Sequence, residues 1–221
     1  VITLVRGKHV LTMGSAGDLR DGAVAFDDTG VIVAVGAFAD LHAAHPDATV
    51  VGDDQGIVLP GLVCTHTHLS EAFTCGMGED MGLIEWITNV IWPVSPFWTP
   101  DLADLAARLK GTELVRSGVT TVNDMFVHTN WGSNSTVGVV SGLEAVGIRG
   151  VLSYGGLDLR FGELMDPSGV ITDQIFDEWE AIASACAGSS LQRFKLCASH
   201  VHGLSEKLMG ALVSWGKREG T

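Results

Sequence analysis

A chain of 221 residues, 46% apolar and 18% charged, can bury a core in one large domain or in one domain plus a small one. Its 26 acidic and 13 basic residues leave a formal charge of −13, and Lys and Arg lie scattered singly, without the clustered basic face that a nucleic-acid partner needs. No run of about 18 apolar residues offers a membrane span, and the opening VITLVRGKHVL lacks a signal peptide's long apolar core and cleavage site, so a cytoplasmic protein without a membrane partner is expected.

The first elements are short. Residues 1–5, 23–26 and 31–35 are β-rich and separated by turn signals such as Asp27-Asp28-Thr29-Gly30; residues 49–51 and 56–59 continue the pattern. Residues 1–57 are therefore expected to form a small antiparallel β module. From Leu59 the rhythm changes, and LPGLVCTHTH reads as a buried strand entered through Pro60-Gly61. An apolar-periodic helix follows over 102–117, with Thr99 or Asp101 as its cap, and Gly118 ends it. VTTVND is the second strand, 135–146 the next helix before Gly147, and IRGVLSY the third strand. Residues 173–187 read as helix, RFKLCAS as strand four and 205–219 as a last helix. Strand alternating with helix at this spacing means βα units on a parallel sheet. Four such units are countable over 58–221, about half of the eight in a barrel of roughly 250 residues.

Chemistry concentrates at His66-Thr67-His68. Two histidines at i and i+2 of a strand point to one face, so both imidazoles reach one ion. Their place is the C-terminal end of the first parallel strand, the end that carries the active site in barrels. None of Cys64, Cys75, Cys186 and Cys197 forms a CxxC pair, and reduced thiols are expected. On a regular strand Cys64 shares its face with both histidines.

With these residues in place, LPGLVCTHTHLSEA resembles the PG(L/F)(I/V)xxHxH signature of the amidohydrolase superfamily. GMGEDMGLIEWITNVIWP, SGVTTVNDMFVH and GIRGVLSYGGLD resemble its subgroup of cytosine, guanine and methylthioadenosine/S-adenosylhomocysteine deaminases and triazine hydrolases. The resemblance implies an α/β fold, the first half of a (β/α)8 metallo-dependent hydrolase barrel preceded by a β-sandwich portion. It also implies one divalent ion, zinc or alternatively Fe2+, with His66 and His68 as its first two ligands. Such an ion acidifies a bound water for attack on a ring carbon, and a glutamate shuttles the proton. The catalytic acid/base and the remaining ligands of the family pattern are expected beyond Thr221. The missing C-terminal half of the barrel is thus an expected partner, and a homo-oligomer is expected.

Four residues are candidates for the substrate. Trp86, in its EWI context, matches a tryptophan that stacks on flat rings. His200, in CASHVHGLS, falls near a substrate-contacting histidine, although Ser199 replaces the family's proline and His202 is an alternative. Ser95 stands where adenosine-type deaminases carry a ribose-gripping glutamate, and Tyr154 stands where they carry an arginine. Arg160 lies nearby. These departures weaken the nucleoside reading and favour a free heterocycle. Lys195 begins strand four instead of ending it, which argues against a carbamylated bridging lysine and for a mononuclear site. His128 reads as an exposed loop histidine, and Asn123 and Asp124 as residues that fix loops. The expected function is hydrolytic deamination of an N-heterocyclic, nucleobase-like small molecule. Hydrolytic dechlorination, cyclic-amide hydrolysis and a catalytically incomplete half-barrel stand as alternatives.

Overall fold

In the computed structural model, which describes residues 1–160 and 163–219, two turns fold the opening segment into a meander. Strands β1 (Thr3–Leu11), β2 (Asp18–Phe26) and β3 (Ile32–Ala37) pair antiparallel. The second turn closes because the Asp27 carboxylate accepts from the amides of Thr29 and Val31, with Gly30 at φ +83°. Helix α1 (Phe38–Ala44) then carries the chain over, and β4 (Thr49–Gly52) and β5 (Ile57–Val58) both run parallel to β1. The expected all-antiparallel module is therefore a mixed sheet, ordered β3-β2-β1-β4 with β5 also on β1. The crossover is the cause: a helical connection returns the chain in the same direction, as a tight hairpin cannot. This part, Val1–Gly61, is one of two units of the chain; the other is Leu62–Thr221.

The second unit is built on β6 (Leu62–Thr67). After it come a 3-10 turn at Leu69–Glu71, α2 (Leu83–Trp86), a π-helical turn at Ile87–Ile91, α3 (Trp92–Val94) and a 3-10 turn at Ser95–Phe97. Helix α4 (Pro100–Arg116) starts where the Thr99 hydroxyl accepts from the Leu102 amide. Strand β7 (Val119–Phe126), α5 (Thr136–Val146) and β8 (Arg149–Tyr154) follow, then the antiparallel pair β9 (Leu159–Arg160) and β10 (Glu163–Leu164), α6 (Val170–Ala187), β11 (Gln192–Phe194) and α7 (Glu206–Glu219). The four long-range strands are parallel in the order β11-β8-β7-β6. This is an α/β unit in which the four parallel strands have their C-terminal ends on one edge of the sheet.

The core lies where helices cover that sheet. Val122, Phe126 and Leu152 pack against Ala103, Ala106 and Ala107 of α4, Val139 and Leu143 of α5, and Ile182 of α6. Helices α4 and α5 approach closely because α5 presents glycines. A Cβ on Gly138 would collide with the Pro100 carbonyl, and one on Gly142 would lie 2.6 Å from the Ala107 Cβ. A second cluster joins Tyr154 to Trp179 of α6 and to Leu208 and Trp215 of α7.

Candidate active site at the C-terminal edge of the parallel sheet

Strand β6 does not run regularly into its histidines. Cys64 pairs with Val122 and Thr67 pairs with Asp124, so Thr65 and His66 together stand opposite Asn123. That is a β-bulge, one extra residue that reverses the alternation of side chains. Cys64 packs against the helix-side core, and Thr67 shares the side of its partner Asp124, which is buried between Val122 and Phe126 on that same face. His66 and His68 therefore face the opposite, open side. The expectation that Cys64 shares their face is overturned, and the bulge is the reason.

The two imidazoles stand edge to face with ring centroids 4.9 Å apart. His68 Nδ1 lies 2.9 Å from the Met125 carbonyl oxygen. A carbonyl only accepts, so Nδ1 carries the proton and Nε2 presents its lone pair. That is the arrangement in which a histidine ligates a metal while a backbone carbonyl fixes its tautomer. The donor set thus fits a divalent ion of imidazole preference. Among the described residues no group of three or more His, Cys, Asp or Glu side chains gathers as a metal site.

Two carboxyls lie behind the pair. Asp124 accepts from the Leu69 amide at 2.7 Å. Burial pushes its carboxyl up to about 8, against the lowering pull of that bond and with a further push from Glu71. Burial likewise raises Glu71, opposed by the neighbouring His68 and His66.

Loops leaving the same edge of the sheet enclose a cavity of about 760 Å³, lined by Leu83, Ile84, Ile87, Trp92, Leu157, Leu159, Arg160, His200 and His202. Two of the expected substrate residues, Arg160 and His200, lie on its wall. The Arg160 guanidinium sits 4.0 Å over the Trp92 ring, a cation–π contact. His200 approaches the backbone at Gly203, where a Cβ would fall 2.7 Å from the imidazole. The other two are placed differently. Trp86 is half-buried against Gly78, where a Cβ would fall 2.5 Å from its ring and clash with it. Ser95 is 2% exposed, and its carbonyl accepts from the Thr129 amide at 3.3 Å. Neither is among the residues lining the cavity.

Sequence reasoning passed over Trp92 and Asp158. Asp158 accepts from both the amide and the hydroxyl of Ser205, at 2.7 and 2.6 Å, and so ties the loop after β8 to the loop carrying His200. No local pattern marks a partner 47 residues away, although an aspartate ending a GLxD-like run is a fair signal for loop anchoring.

His128 is a correction of another kind. It is buried, not exposed: its Nε2 lies 3.2 Å from Glu178 Oε1, its ring stacks on Tyr154, and the same Glu178 oxygen accepts from the amide and hydroxyl of Thr136.

A family model described as the amidohydrolase family matches residues 57–213. The 5-methylthioadenosine/S-adenosylhomocysteine deaminase of Nitratidesulfovibrio vulgaris is 35% identical over 138 residues, 62% of this chain and 30% of that protein. The crystal structure of guanine deaminase from C. acetobutylicum, with guanine bound in its active site, is similar at a TM-score of 0.80 and 19% identity, covering 99% of this chain and 51% of that one. An adenosine deaminase from Xanthomonas campestris with bound zinc is similar at a TM-score of 0.76 and 22% identity, covering 98% and 47%. The chain thus spans 30% of the curated relative and about half of each solved chain.

Proposed function

The chain belongs to the amidohydrolase family, and on that footing we propose that it serves the hydrolytic deamination of an N-heterocyclic, nucleobase-like substrate. One observation carries this reading: His66 and His68 face the open side of the sheet at its C-terminal edge, with the His68 tautomer set by Met125. They are the proposed ligands of a single divalent ion, zinc in the first instance. When bound, such an ion supplies the activation of water for hydrolysis.

The chain's own residues do the rest of what is assigned to this half. Leu83, Ile84, Ile87 and Trp92 give the cavity flat apolar walls that exclude water from a ring. His200 offers a ring nitrogen for a heterocycle's hydrogen-bonding edge. Arg160, held over Trp92, offers a fixed positive charge and planar donors. Trp86 and Ser95 lie on the same connection as Leu83, Ile84, Ile87 and Trp92 but off the cavity wall, and are proposed to bear on the substrate through the residues that line it. The Leu62–Thr221 unit is proposed as the first half of a barrel, and residues 1–57 as part of a β-sandwich. The remaining ligands and the proton-shuttling carboxylate are proposed to come from the barrel's other half.

Ser95 is short and neutral, and it cannot make the paired charge-assisted bonds that a carboxylate makes to vicinal ribose hydroxyls. A free base should therefore be favoured over its nucleoside. The full-length enzyme, loaded with zinc, is to be assayed for ammonia release on matched base and nucleoside pairs. Turnover of a free base with a higher kcat/KM than its nucleoside is expected. A preference for methylthioadenosine or S-adenosylhomocysteine over every free base would show that another residue holds the sugar, and absence of ammonia from all of them would sink the deaminase reading.

A further inference from the structure

The bulge in β6 interrupts the backbone ladder just where the histidines need to be held. Strand β7 replaces the lost bonds with side chains. Asn123 Nδ2 donates to the Thr65 carbonyl at 3.0 Å, inside the bulge. Asp124 Oδ1 accepts from the Leu69 amide at 2.7 Å, one residue past His68. The Met125 carbonyl accepts from His68 Nδ1. Consecutive residues of one strand thus grip the segment on both sides of the histidine pair.

Asp124 is informative because stability does not explain it. It is 1% exposed, and its Oδ2 has no hydrogen-bond partner among the described residues. A buried carboxyl with an unpartnered oxygen is unfavourable, and an apolar side chain of similar volume would pack there at less cost. What it holds accounts for it.

We infer that Asn123 and Asp124 are positioning residues that fix the β6 bulge and its exit turn, and through them aim the imidazoles of His66 and His68 at one ion. The inference rests on the proposal that those histidines bind metal. It gives β7, which supplies none of the proposed ligands, the task of setting their geometry. Outer partners of this kind are typically worth about 10–100-fold in metal affinity.

The test uses the full-length protein. Zinc affinity is measured by chelator competition, and the ring nitrogens of His68 are observed by ¹⁵N NMR in the metal-free protein. Asn123→Asp keeps the shape but loses the donor, and Asp124→Leu loses the acceptor; each should weaken zinc binding by about 10–100-fold. Both should also dissolve the Nδ1-protonated signature of His68. Asp124→Asn keeps an oxygen facing the Leu69 amide and should rescue both readouts. If Asp124→Leu does not fold, Asn123→Asp and Asp124→Asn carry the comparison, since Asn123 is exposed. Wild-type affinity and an unchanged His68 spectrum in Asn123→Asp would overturn the inference while leaving the metal site standing. A wild-type protein that binds no zinc would overturn the metal reading and this inference with it.

Discussion

Cys186 and Cys75 carry the same thiol in opposite surroundings. Cys186 is 5% exposed between α6 and the sheet, and burial pushes its thiol up to about 11, with Arg193 pulling it down and Glu144 pushing it up. Cys75 is exposed in the loop after β6. Only the thiolate reacts, and a thiol titrating near 11 is about one part in a thousand ionised at pH 8. Timed alkylation at pH 8, read by mass spectrometry, should label Cys75 first and Cys186 last; early labelling of Cys186 would mean that α6 opens. Glu178 is tuned the other way. Burial works to raise its carboxyl, but hydrogen bonds and charge from His128 and bonds from Thr136 outweigh it, and it sits below the ordinary value of 4.5. The folded chain then binds this proton less readily than the unfolded chain. The stability it contributes is complete above about pH 4.5 and is lost as pH falls through the lower folded value. Glu178→Gln should flatten that acid limb, and Glu178→Ala should cost about 3–5 kcal/mol at pH 7 by leaving His128 and Thr136 unpaired. Urea unfolding at pH 4 and 7 checks both; parallel losses in wild type and Glu178→Gln would remove the assignment.

Among the elements, the contact of α4 with α5 is the one most sensitive to a single methyl. Gly142 lets Ala107 and the Asp104 backbone come close, so Gly142→Ala must part the helices. A loss of about 1–3 kcal/mol is expected from overpacking, measured by denaturant unfolding, and an unchanged midpoint would show that the helices separate freely. Much of this layering was legible beforehand. The apolar period of α4 and α5 and their stops at Gly118 and Gly147, the latter at φ +78°, are local signals, and the structure starts these helices within two residues of the expected positions. What escaped depends on distant partners. The parallel course of β4 and β5 follows from a seven-residue helix too short to stand out by period. His128 owes its burial to Glu178, 50 residues away. In the site, the HxH pair was visible because a period of two needs only three residues. The bulge beneath it was not, because its anchor, Asn123, lies 58 residues further along.

At the scale of the whole molecule, both units leave apolar surface and strand edges open. In the first, Val33, Val50 and Val51 are exposed. In the second, β6 and β11 bound the sheet, and Leu62 and Val63 on β6 are each more than half exposed. Open edges bearing apolar side chains invite pairing. A chain of these 221 residues by itself should bind an apolar dye and elute from a sizing column above its 23.3 kDa mass; a clean monomer without dye binding would mean that these edges are protected. The bulge at Thr65 and His66 has a consequence of a different order, in what lengths of chain the strand accepts. Deleting a residue from a strand ordinarily turns everything beyond it to the wrong face. Here the extra residue is already a half-step out of phase, so loss of Thr65 would restore a regular ladder with Cys64 still under the helices and both histidines still facing outward from them. The carbonyl that Asn123 Nδ2 holds would leave with Thr65, and with it the irregularity that this bond spans. At this one place, a change of length is gentler on the site than keeping every residue and straightening the strand.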